Sequence, residues 1–86
     1  MRAIIVPADK LVIVDGIPAN GVNAEYPQGV HAIQWFGENG FIEFEGSPKP
    51  PNEVITDFSP YQPILDAYNV RIAEIEAERL AMIEGA

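Results

Sequence analysis

Residues 59–85 carry an apolar stripe that only a long helix keeps on one side. Tyr61, Leu65, Tyr68, Ile72, Ile75 and Met82 recur at alternating spacings of four and three, with Arg79 the one charge in register. The string Ser59-Pro60-Tyr61-Gln62 reads as the start of that helix: Ser59 as N-cap, Pro60 at the first helical position, Gln62 completing a capping box. Pro63 still falls in the first turn, where its missing N–H has no partner to lose. Gly85 supplies the stop. Such a helix is about 37 Å long, whereas the rest of the chain can form a sheet only ~20 Å across. The helix is therefore expected to overhang its own sheet.

The segment before it reads as β-structure. Arg2–Val6 and Leu11–Asp15 are β-branched runs separated by turn residues, and both are apolar on both faces. One helix covers one face of a sheet, so a second apolar face, carrying Ile5, Val12 and Val14 or their neighbours, is left for another subunit. Asp15-Gly16 is a two-residue hairpin signal that folds Ile17–Ala19 back on the second run, and Pro18 confines that segment to an edge. Asn20–Gly29 reads as a loop. Val30–Phe36 and Phe41–Glu45 form a second hairpin, its turn centred on Glu38-Asn39 or on Asn39-Gly40. Either register puts His31, Ile33 and Trp35 on one face with Ile42 and Phe44, and this face is taken as the one against the helix. Gln34, Phe36, Glu43 and Glu45 point the other way. Gly46–Asn52 is a stiff Pro-rich connector, Val54-Ile55 adds a short strand, and Phe58 staples the helix start to the body. The expected fold is α+β: a small antiparallel sheet of two hairpins and four or five strands (residues 1–58), then one long C-terminal α-helix (59–86) that extends beyond it.

Composition narrows the function. A net charge of −8, with the five Lys and Arg scattered, opposes nucleic-acid and anionic-lipid binding. No apolar run approaches the ~18 residues of a membrane span. The opening residues are broken by Pro7, Asp9 and Lys10, so a signal peptide is not expected. The absence of cysteine excludes a disulfide framework and a thiolate zinc site. Glu43 and Glu45 share a strand face without a convergent third carboxylate, and His31 is the only histidine, with no nucleophile beside it in any readable motif. No catalytic residue, metal site or cofactor is expected.

The helix carries the one constellation that points to a function. With Leu65, Ile72 and Arg79 at heptad position a and Tyr68, Ile75 and Met82 at d, Arg71 falls at g and Glu76 at e, where the two pair between parallel chains. Isoleucine at both a and d favours three or four strands over two, so a homotrimer is the expected assembly.

The strings GVHAIQWFGENGFIEFEG and NEVITDFSPYQPILDAY, following AIIVPADKLVIVDG, resemble those of small proteins encoded in the tail modules of phages and prophages. The resemblance covers roughly the first three quarters of the chain, and its motifs are structural rather than catalytic. It implies a tail or tail-fibre assembly factor or minor component, with other tail proteins as partners, in the host cytoplasm or on the virion. A second expectation, from another class, is an acidic inhibitor or antitoxin-like protein that masks a basic partner with its C-terminal helix.

Overall fold

The computed structural model of the chain describes residues 1–84. Six strands, β1 (Ala3–Val6), β2 (Leu11–Val14), β3 (Ile17–Ala19), β4 (Val30–Trp35), β5 (Gly40–Phe44) and β6 (Glu53–Ile55), precede one helix, α1 (Gln62–Glu84). The strands form a single antiparallel sheet in the order β3-β2-β1-β4-β5-β6. The α+β class and the overhanging helix are as expected, with six strands in place of four or five. Two three-strand meanders meet where β1 pairs with β4, so β1, one of the two runs apolar on both faces, lies at the centre with β2 beside it.

Local chemistry sets the turns. Asp15 and Gly16 both have positive φ, 49° and 82°, between the paired residues Val14 and Ile17, which is the twist a two-residue hairpin needs. Pro18 sits on β3, at the sheet edge, where its missing N–H interrupts no ladder. The second hairpin differs from both expected turns. Trp35 pairs with Gly40, and the Phe36 N–H donates to the Asn39 carbonyl at 2.8 Å, so the turn centres on Gly37-Glu38. The shift is even, and Ile33 and Trp35 keep the face shared with Ile42. His31 does not follow them. The register slips between Val30 and Ala32, leaving His31 as the extra residue of a bulge; it is exposed, and Val30 takes the inward place.

The inner face of the sheet carries Ile5, Val12, Ala19, Val30, Ile33 and Ile42, all buried. Ile5, Val12 and Val14 are thus on the helix side, and the second apolar face belongs to their neighbours Ile4, Val6, Leu11 and Ile13. The cover over the inner face has two parts. Ile64 and Tyr68 of α1 are one; the segment after β3 is the other, with Val22 fully buried and Ala24 and Tyr26 packed on the core. The Val22 N–H donates to the Lys10 carbonyl at 3.0 Å, and the Tyr26 hydroxyl to the Val22 carbonyl at 2.6 Å. This loop is, as expected, without helix or strand, and it is also a lid on the core.

The helix begins later than its sequence indicates. Ser59–Tyr61 form a 3-10 turn, and α1 starts at Gln62. Ser59 is not the cap: Asp57 accepts the Ser59 N–H at 3.0 Å and the Ser59 hydroxyl at 2.8 Å. Gln62 donates forward to Asp66 at 2.9 Å instead of closing a capping box. The expected stop, Gly85, lies outside the described residues.

The Ser59 backbone N–H, and after it the hydroxyl, hold the Asp57 carboxyl below the usual carboxylate range. A lowered native pKa stabilises the fold above the unfolded carboxylate value of ~3.9 and ceases to do so as pH falls through the native value. Asp57→Ala should therefore lower the melting temperature at neutral pH, and the gap from wild type should narrow below about pH 4. A gap of equal size at both ends of that range would show that the ionised carboxylate does not stabilise this turn.

Candidate self-association surface

The first half of α1 is engaged with its own chain. Tyr68 is buried, and its hydroxyl donates to the Ile17 carbonyl at 2.8 Å; burial, with Asp15 adding, pushes its pKa up. Leu65, Ile72 and Ile75 are half-buried at the rim of the core. Arg71, expected to reach another chain, donates from Nε to the Asn20 carbonyl at 2.9 Å and pairs with Glu78 at 3.5 Å. The six residues assigned to heptad positions a and d therefore divide. Leu65 and Tyr68 hold the sheet, Ile72 and Ile75 stand at its edge, and Arg79 and Met82 lie beyond it.

Past Ile75 the helix leaves the body, and residues 76–83 are all exposed. At ~1.5 Å per residue α1 is roughly 34 Å long, within a molecule measuring 51 × 28 × 19 Å. The projecting part displays Leu80, Met82 and Ile83, which are 54%, 78% and 66% exposed. Leu80 and Ile83 fall outside the a and d positions, so the heptad assignment missed them; the signal was the spacing of four from Glu76 to Leu80 and from Arg79 to Ile83, with Ile83 eleven residues from Ile72. Where the helix crosses β3, a groove of about 290 Å³ is lined by Ile17, Pro18, Ile72, Ile75, Glu76 and Arg79. Arg79 forms no ion pair among the described residues.

The outer face of the sheet is a second, weaker candidate. Ile4, Val6, Leu11, Ile13 and Phe41 are half-buried there. Phe36 packs at a tilt against Phe41 with ring centroids 5.7 Å apart, and the Arg2 guanidinium lies 5.4 Å from the Phe36 centroid. Beside them Gln34 donates to Glu43 at 2.7 Å, and Lys49 of the Pro-rich connector reaches Glu43 at 3.8 Å. Glu43 is thus part of a polar cluster that fastens the connector. At the strand ends a cleft of about 470 Å³ opens between Arg2, Asp15, Trp35 and Phe36. Its carboxylate is already tied, since Asp15 accepts the Arg2 N–H at 2.9 Å.

No helix among the described residues is long and apolar enough to cross a membrane. Comparison with protein-family models, with curated proteins and with solved structures finds no match.

Proposed function

We propose that this chain is a non-enzymatic, self-associating interaction protein whose C-terminal helix makes the contact, serving a phage tail or tail-fibre module as assembly factor or minor component. One observation carries the self-association: α1 runs past its own sheet and displays Leu80, Met82 and Ile83 with nothing of the same chain over them. Large apolar side chains clustered on a projecting helix end are an interaction surface rather than ordinary surface scatter. The half-apolar outer sheet face is further surface of the same kind. The phage context rests on the resemblance of the hairpin and helix-start strings described above.

Light scattering on the purified chain at micromolar concentration tests the proposal. The expected mass is a multiple of 9.4 kDa. A mass equal to that of one chain would remove the helix end as a self-association surface, and with it the argument for an assembly role.

A further inference from the structure

Ile72, Glu76, Arg79 and Ile83 follow one another at spacings of four, three and four, so they form a single stripe along α1. Ile72, Glu76 and Arg79 line the groove beside β3, and Ile83 continues the same line into solvent. The stripe is self-complementary when reversed. The midpoint of Ile72 and Ile83 lies between Ala77 and Glu78, and so does the midpoint of Glu76 and Arg79. A two-fold axis through that midpoint, perpendicular to the helix, places Ile72 against Ile83 and Glu76 against Arg79, each contact made twice.

We infer that α1 pairs with α1 of a second copy in antiparallel orientation about this axis, with two Ile72–Ile83 layers enclosing two Glu76–Arg79 ion pairs. The inference rests on the self-association proposed above and specifies its geometry. Charge complementarity selects the occupant: the reversed helix of the same chain brings an acid to each arginine and an arginine to each acid. In a parallel pairing Arg79 would meet Arg79, a like-charge contact at the centre of the seam. The flanks agree with the reversed arrangement, because Met82 of one helix falls beside Ile75 of the other on one side, and Leu80 beside Ala73 on the other. Pairing thereby covers all the large apolar side chains that the helix end exposes past Ile75. A polar layer between apolar ones fixes register, which gives Arg79 a purpose in a position the stripe would otherwise fill with an apolar residue. The pairing is two-fold, because Leu65 and Tyr68, which a parallel three-helix seam needs, lie against their own sheet.

The chain has no cysteine, so single cysteines report the geometry directly. Ile72→Cys and Ile83→Cys chains are each oxidised alone and then as a mixture, and read on a non-reducing gel. In the antiparallel pair, like positions lie ~16 Å apart along the axis, beyond the ~7 Å a disulfide spans. A cross-linked dimer is therefore expected from the mixture and from neither variant alone. Charge reversal supplies the second arm. Glu76→Arg or Arg79→Glu alone should weaken self-association at least ~10-fold, and the double variant should regain it, since the reversed pairs again match. Cross-linking of Ile83→Cys with itself, or an oligomer whose mixture gives no cross-link, would overturn the antiparallel register and leave self-association standing. A monomeric wild type would overturn both.

Discussion

Gly40→Ala should destabilise the fold by about 3 kcal/mol, lowering the melting temperature by roughly 12–24 °C. Gly40 opens β5 directly opposite Trp35, and a Cβ there would stand 2.0 Å from the Gln34 carbonyl oxygen and 2.9 Å from the Trp35 Cα. Both obstacles are backbone of the neighbouring strand, so no side-chain rotation relieves them. The hairpin end would have to separate, at the place where β5 also receives β6. Gly16→Ala is the internal comparison. Its Cβ would meet nothing within 4 Å, and only the φ of 82° opposes it, a cost of about 1–2 kcal/mol. The ratio of the two effects is diagnostic. Thermal melts followed by the emission of the single tryptophan measure both, and a Gly40→Ala variant no less stable than Gly16→Ala would mean that β5 does not hold this register.

Features with a local signal were legible in the sequence. Asp15-Gly16 specified its hairpin because a two-residue turn with positive φ admits few other pairs. The period-two pattern of Ile33, Trp35 and Ile42 specified a shared face even though the turn sits one residue before the first expected position and two before the second, because each displacement shifts the pairing by an even number and preserves the side. What failed depended on contacts distant in sequence. His31 leaves its face through a bulge set by the pairing of Val30 with Phe44. Asn20–Gly29 is the loop its Asn, Gly and Pro content indicates; what that content does not show is that Val22, Ala24 and Tyr26, alternating with Asn23 and Glu25, pack on the core. Ile64 was overlooked because the stripe was drawn through Tyr61 and Leu65, and a helix packing on a sheet buries a broader band than a coiled-coil seam. Ser59 is not the cap because a 3-10 turn intervenes before α1, which no string of four residues announces, and its own N–H and hydroxyl are held by the Asp57 carboxylate.

The same broad band bears on the candidate surface. The heptad pattern of Leu65 to Met82 is continuous in sequence, but the sheet edge at β3 divides it, and the part toward Tyr61 is consumed by folding. A periodicity cannot say which of two partners it serves. Only the position of the sheet shows that α1 is exposed from Glu76 onward, with Ile72 and Ile75 half-buried at the rim of the core.

Trp35→Ala should cost about 3–5 kcal/mol, a large share of the stability available to a domain of this size, about 4–13 kcal/mol. Trp35 is 7% exposed, beside Ala3 of β1 and Gly40 of β5, the two smallest neighbours its strand offers. Their lack of bulk makes the space the indole fills, so its removal leaves a void that these residues cannot close. The indole also joins the sheet to the helix. Its ring centroid lies 5.3 Å from that of Phe58, which stands 5.9 Å from Tyr61 in an edge-on contact. Loss of Trp35 therefore loosens the turn that starts α1 as well as the strand ends. The adjacent Phe36 separates burial from mere aromaticity. It is 42% exposed on the opposite face, and Phe36→Ala should cost no more than about 1.5 kcal/mol, the scale of one aromatic pair. Because Trp35→Ala has no tryptophan emission, both variants are compared by circular dichroism at the helical band during heating. Trp35→Ala should be largely unfolded or melt at least ~12 °C below wild type, with Phe36→Ala close to wild type. The reverse order would place the core on the outer face of the sheet, and helix and lid would then be covering the wrong side.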